Sequence, residues 1–175
     1  QLHIAVERDL KLPSLKNLKK EEILGVDVGE NNVAATSDGS LFKAGKLKND
    51  RDKYLSHRAR LQRNGSRNAK RKLRQISGRE RRHVEHINHN VSKTIVEKAS
   101  QSGKRLIVLE DLTHIRERIK AGHKVRARLH RWPFRELQQM IVDKASRLGM
   151  RVMFVDPRYT SKTCSACGAI GKRKK

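Results

Sequence analysis

The chain holds 175 residues, with 42 Lys and Arg against 18 Asp and Glu, a net charge of +24, and 3% aromatics. That length has room for one domain and a small appendage, and a compact body so charged repels itself, so DNA or RNA is the expected partner: phosphates release counterions when Lys and Arg neutralise them. The same figures set aside a spanning membrane protein, since no apolar run nears the roughly 18 residues required, a disulfide-stapled secreted scaffold, since Cys164 and Cys167 are the only cysteines, and a binder built mainly on aromatic stacking.

The chain opens Gln1-Leu2-His3-Ile4, with neither basic leader nor apolar core, so no signal peptide is expected. A start on Gln rather than Met points to the inside of a longer protein. With few cysteines and a polyanionic partner, the expected setting is the reducing cytoplasm, in association with the nucleoid. Leu2 to Val6 alternates weakly and reads as a short strand. Lys11 to Glu22 is mostly polar, contains Pro13, and reads as a linker. Ile23 to Gly29 is an apolar run interrupted by one acid, the pattern of a buried strand. Val33 to Thr36 is a second strand, Ser37-Asp38-Gly39-Ser40 a turn, and Ser40 to Ala44 a third strand. Three short strands in a row make a meander.

From Lys46 to about Ser102 almost no strand signal remains. Arg58, Arg60, Arg63, Arg67, Lys70, Arg71, Lys72 and Arg74 make this segment basic on every face, with Gly65 and Gly78 as breaks. Val84, Ile87, Val91, Ile95 and Ala99 then recur at helical spacing and predict an amphipathic helix ending near Gly103. Arg105 to Glu110 is a fourth strand. Thr113 to Arg131 reads as a basic loop with some helix. Phe134, Leu137, Met140, Ile141, Ala145 and Leu148 form a second helical stripe with Gly149 as its C-cap. Arg151 to Val155 is a fifth strand, stopped by Pro157. Each of the last two strands follows a helix, which favours parallel additions through crossovers. The predicted fold is α/β, of the ribonuclease H-like kind, with a mixed sheet and flanking helices.

Two acids stand out. Asp27 interrupts an apolar strand between Gly25 and Gly29, where a carboxylate is costly unless paired or metal-bound. A metal ligand and a strand-end Asp satisfied by backbone donors stand level on Asp27 alone. Glu110 closes the apolar run Leu106 to Leu109. In a sheet with the first strand central, the two carboxylates face one point and suit Mg²⁺ or Mn²⁺. Two such ions about 3.5–4 Å apart activate water and stabilise the leaving oxygen in phosphodiester cleavage. Asp111 reads as a cap or turn residue on the opposite face, Asp143 as a solvated helix residue and Asp156 as a turn residue. His83, His86 and His89 drift about 60° per step around a helix, too far for one ion, and read as surface histidines. Trp132-Pro133-Phe134 reads as a helix start with a packing anchor. Cys164-Ser-Ala-Cys167-Gly168 is half of a zinc knuckle, either the first part of a ribbon or two free thiols, since a closed site takes four ligands.

Four motifs occur in order: Gly25-Val-Asp-Val-Gly29, then Leu109-Glu-Asp-Leu112 with Ile115-Arg-Glu-Arg118, then Trp132-x-Phe-x-x-Leu137, then Thr160-Ser-Lys-Thr-Cys-Ser-Ala-Cys-Gly168. The set resembles the TnpB (OrfB-type) transposon-encoded proteins, relatives of the type V CRISPR effectors, over almost the whole chain. The resemblance implies an RNA-guided DNA endonuclease with a RuvC-like core and an inserted zinc ribbon. It implies that Asp27 and Glu110 are the first two catalytic carboxylates on Mg²⁺ or Mn²⁺, and that Cys164 and Cys167 are the first two Zn²⁺ ligands. It places the third catalytic Asp and the second Cys pair beyond Lys175, so this stretch by itself is expected to be inactive. Residues 1–22 would end a preceding wedge-type domain and linker, 23–157 form the core with a basic helical insert at 46–102, and 158–175 begin the ribbon. The nucleic-acid-binding residues are expected to be Arg58, Arg63, Arg67, Lys70, Arg71, Arg74, Arg116 and Arg118, with DNA and a guide RNA as partners. Two alternatives stand beside this. One is a non-catalytic basic DNA- or RNA-binding module. The other is a Holliday-junction-type resolvase, which leaves the cysteine pair and the basic insert unexplained.

Overall fold

A computed structural model describes residues 12–113, 134–157 and 171. Within them the strands are β1 (Ile23–Asp27), β2 (Asn32–Thr36), β3 (Leu41–Lys43), β4 (Leu106–Glu110) and β5 (Arg151–Val155), and the helices are α1 (Gly45–Asn64), α2 (Arg67–Ile76), α3 (Arg79–Gln101) and α4 (Phe134–Arg147). The sheet order is β3-β2-β1-β4-β5. β2 pairs antiparallel with β1 and with β3, whereas β4 lies parallel to β1 and β5 parallel to β4. The molecule is an α/β structure with a mixed sheet. Its parallel half is built from two helical crossovers, because parallel neighbours cannot be joined by a tight turn.

The segment expected to be a linker contains two single 3-10 turns, Leu15–Asn17 and Lys20–Glu22. The second is tied to the start of β4, where Lys104 Nζ donates to the Glu21 carbonyl at 2.6 Å and Arg105 pairs with Glu22 at 3.3 Å. The strand expected at Leu2–Val6 lies outside the described residues, as do 114–133 and nearly all of 158–175.

Leu24 and Val26 of β1 and Ile107 and Leu109 of β4 belong to one buried cluster with Ile95 and Val96 of α3 and Leu137 and Ile141 of α4. Burying each such side chain contributes about 1.5–3 kcal/mol. The helices therefore cover one face of the central strands. The α3 seam keeps Val84, Ile95 and Ala99 of the predicted stripe and adds Asn88, Ser92 and Val96 beside it. Val84, Asn88, Ser92, Ile95, Val96 and Ala99 are its buried residues, while Ile87 and Val91 are half-buried. Asn88 Nδ2 donates to Glu136 of α4 at 3.1 Å, and Lys144 Nζ of α4 donates to Ser92 Oγ at 2.9 Å. Burial and then the nearby Arg147 lower the Lys144 pKa, against the opposing pull of Asp143. Reading only apolar residues hides these pairs.

The basic segment divides into helices where glycine permits. Gly65 ends α1 at φ +65° and Gly78 precedes α3 at φ +77°, a left-handed conformation that costs other residues. Ser66 Oγ caps α2 by accepting from Ala69 N at 3.2 Å. α1 and α2 together bury only Leu47, Arg51, Ala69 and Ile76. Two polar ties hold this arm: the Tyr54 hydroxyl donates to the Ile76 carbonyl at 2.8 Å, and Arg51 Nε meets Glu80 Oε1 at 2.6 Å. Among the described residues no helix is long and apolar enough to cross a membrane.

Candidate functional site

The register of β1 and β4 places the two candidate acids. Gly25 pairs with Val108 and Val26 with Leu109, and both strands run one residue further, to Asp27 and Glu110. Residues level with one another on neighbouring strands point to the same face. Asp27 and Glu110 therefore share the face that α3 and α4 leave uncovered. They line one cleft of about 390 Å³ together with Gly25, Ser37, Val108 and Val155.

Asp27 differs from expectation in one respect. It is the last residue of its strand and exposed, not a carboxylate sunk in an apolar run. The desolvation cost that singled it out does not apply, and no hydrogen bond to its carboxylate is found among the described residues. It is a water-facing acid with its oxygens available. It also borders a second hollow of about 220 Å³ lined by Glu30, Asn31 and Asn32. Glu30 is an ion-pair partner of Lys48 at 3.4 Å. Glu110 is half-buried.

Two features around the pair escape the sequence patterns. Gln138 of α4 is buried, and its Nε2 donates to the Glu110 main-chain carbonyl at 2.7 Å. It sits at the apolar spacing of α4, four residues after Phe134 and three before Ile141. A polar residue at a core position was the available signal. On the other side, Gly25 N donates to Ser37 Oγ at 3.0 Å and Ser37 N to the Gly25 carbonyl at 2.8 Å. That turn is held by Asp38, which accepts from the Thr36 hydroxyl and from Ser40 N. The Thr36 hydroxyl, then the Ser40 N–H, keep the Asp38 carboxyl below its ordinary pKa.

The remaining acids stand apart. Asp111 is exposed and accepts from Thr113 N at 2.9 Å, as a turn residue does. Asp143 is exposed beside Gln139 at 2.9 Å, and Asp156 is exposed just beyond β5. His83 meets Asp50 at 3.4 Å, His86 meets Asn90 at 3.0 Å and His89 meets Lys144 at 3.3 Å, so the three rings serve three different partners. Among the described residues no three His, Cys, Asp or Glu side chains converge as a metal site needs. Arg58 and Arg63 lie on α1, and Arg67, Lys70, Arg71 and Arg74 on α2, all exposed. Arg116, Arg118, Cys164 and Cys167 fall outside the described residues.

Two family models match the chain: a probable transposase of the OrfB/IS605 type over residues 1–116, and the Cas12f1-like TNB domain over residues 134–175. A TnpB-like protein of Methanocaldococcus jannaschii is 35% identical over 160 residues, covering 85% of this chain and 57% of that protein. The CRISPR-associated endodeoxyribonuclease Cas12f1 of Syntrophomonas palmitatica is 29% identical over 171 residues, covering 89% of this chain and 33% of its own length. The chain thus spans from a third to somewhat over half of these relatives. Among solved structures, a CRISPR-Cas12f ternary complex matches with a TM-score of 0.67 at 23% identity, over 95% of this chain and 34% of the other. A Cas12f1–sgRNA–target DNA complex matches with a TM-score of 0.65 at 22% identity, over 85% of this chain and 39% of the other.

Proposed function

Because the chain belongs to the OrfB/IS605 probable-transposase family of TnpB-like proteins, we propose that it is the nuclease core of an RNA-guided DNA endonuclease. The observation that carries the reading is the register that sets Asp27 and Glu110 level on adjacent parallel strands, on the uncovered sheet face and in one cleft. The sheet order, two antiparallel strands on one side of β1 and two parallel strands on the other, supports a ribonuclease H-like, RuvC-like core. In this reading residues 23–157 are that core, 46–102 its basic insert and 158–175 the start of a zinc ribbon. The names of the relatives, with guide RNA and target DNA in the solved complexes, support both partners.

The residues fit a hard divalent cation: carboxylate oxygens, one exposed and one at the cleft wall, are the donors that Mg²⁺ and Mn²⁺ prefer. When bound, such ions lower the pKa of water and stabilise the leaving oxygen of a phosphodiester. Asp27 offers its oxygens without breaking an internal contact. Glu110 is set in depth by the Gln138 amide on its own carbonyl, so its side chain leaves from a fixed point of the backbone. With two carboxylates here, a third ligand is expected from elsewhere in the protein. Cys164 and Cys167 would supply half of a zinc site whose other half lies elsewhere. The alternative of a non-catalytic binding module draws on one observation, that the described residues gather no third metal ligand.

The test uses the full-length protein loaded with its guide RNA. Asp27→Ala and Glu110→Ala are each expected to abolish Mg²⁺-dependent plasmid cleavage and to remove a saturable Mn²⁺ site in calorimetric titration. Cleavage retained in both variants sinks the assignment. Cleavage absent from the wild type as well, with nucleic acid still bound, favours the binding module.

A further inference from the structure

Away from the carboxylates, α1, α2 and the first turn of α3 enclose a cleft of about 760 Å³. That volume lies within the roughly 300–1,000 Å³ of ligand clefts. Its wall carries Arg58, Arg74 and Arg81, one from each helix, and a single acid, Glu80. Glu80 is already engaged: its Oε1 lies 2.6 Å from the Nε of Arg51, which is buried beneath it. Among the described residues, Arg58, Arg74 and Arg81 take no part in the ion pairs Lys48–Glu30, Arg51–Glu80, His83–Asp50, Lys93–Glu97 and Arg105–Glu22. Three guanidinium groups thus surround one hollow whose only carboxylate is spoken for.

Like charges so arranged repel, and an anion between them removes the repulsion. A guanidinium presents a planar fork that grips phosphate oxygens two at a time. The rest of the lining is mixed: Leu73, Ile76 and the ring of Tyr54, whose hydroxyl is occupied by the Ile76 carbonyl, are apolar, and Gln62 and Ser77 add uncharged polar groups. Such a floor packs against sugar and backbone and reads little of the bases. Gly78, at φ +77°, completes the lining where α2 hands over to α3.

We propose that this cleft is a phosphodiester seat, holding consecutive backbone phosphates of one nucleic-acid strand against the α1–α2 arm through Arg58, Arg74 and Arg81. The proposal rests on the nucleic-acid part of the preceding reading and not on its nuclease part.

The test is fluorescence anisotropy with the full-length protein in Mg²⁺-free buffer, using a short labelled single-stranded RNA and, separately, a labelled DNA duplex. The triple variant Arg58→Ala/Arg74→Ala/Arg81→Ala is compared with Arg63→Ala/Lys70→Ala/Arg71→Ala, which removes the same charge from exposed positions outside the cleft. The cleft triple is expected to lose about ten-fold more affinity for at least one of the two probes, and its slope of log K against log salt is expected to fall by about 1–2 more. The two probes show whether RNA or DNA occupies the seat. Equal losses in both triples leave only a diffuse basic field and overturn the proposal. So does a nucleoside triphosphate that competes as tightly as a strand at matched ionic strength. Replacing the same three arginines by lysine keeps the charge and safeguards the fold. That variant is expected to keep the salt slope while losing several-fold affinity, because lysine lacks the fork. Wild-type affinity in it rules the seat out. Cleavage is not measured, so failure of the nuclease assignment is told apart from failure of the seat.

Discussion

Along β1 and β4, neighbouring residues meet opposite fates. Leu24, Val26, Ile107 and Leu109 are sealed beneath α3 and α4. The residues between and after them, Gly25, Asp27, Val108 and Glu110, line a cleft on the other face. One pair of five-residue strands is therefore a structural core on one side and a candidate reaction surface on the other. The difference teaches that a two-residue period is enough to separate stability from chemistry, because each face answers to a different solvent.

Substitutions that act on only one face sharpen that contrast. Leu109→Ala should have the largest effect on stability, a loss of about 2–5 kcal/mol from lost transfer energy and the cavity left behind. Urea unfolding measures it. Asp27→Ala, made one residue beyond Val26, is expected to change stability by no more than about 0.5 kcal/mol, as for other exposed positions. If Asp27→Ala destabilised as much as Leu109→Ala, the two faces would not be separate. Gln138→Leu links them. It removes the amide that meets the Glu110 carbonyl under α4, with an expected cost of about 1–3 kcal/mol. It should also weaken Mn²⁺ binding several-fold in the full-length protein, since Glu110 loses its fixed depth, and a purely structural Gln138 would leave Mn²⁺ affinity untouched. The smallest effect is expected at the turn beside the cleft. Asp38 is held below its ordinary pKa, so its stabilisation is present above the unfolded carboxylate value of about 3.9 and fades as pH falls through the lower folded value. Asp38→Asn should lower Tm slightly at neutral pH and converge with the wild type in acid. A gap that widened in acid would reverse the sign argued here.

The strands, the two apolar helices and the glycine breaks were legible because each rests on a local pattern: period two, period 3.6, or a backbone angle that glycine alone adopts freely. The pairing of Asp27 with Glu110 was legible because β1 and β4 end on their acids and the helical crossover makes them parallel. The exposure of Asp27 was not, since where a strand stops relative to its neighbours is set by packing and not by its own residues. The polar part of the α3–α4 seam was missed for the opposite reason. Its Asn88 and Ser92 are polar, and their burial is intelligible only with Glu136 and Lys144, about fifty residues away, in view. Gln138 was missed in the same way, as a core position filled by an amide that serves a strand end.

The seam has a consequence for alignment. Apolar ridges slide past one another at modest cost, but Asn88–Glu136 and Lys144–Ser92 match at one setting only. A slip of α4 by one turn, about 5.4 Å, would break both contacts and leave the buried Asn88 amide without Glu136, at a cost of about 1–3 kcal/mol. The pairs act as a detent. Because α4 also carries Gln138, the click that seats the helix is the same event that calibrates how far Glu110 reaches into the cleft.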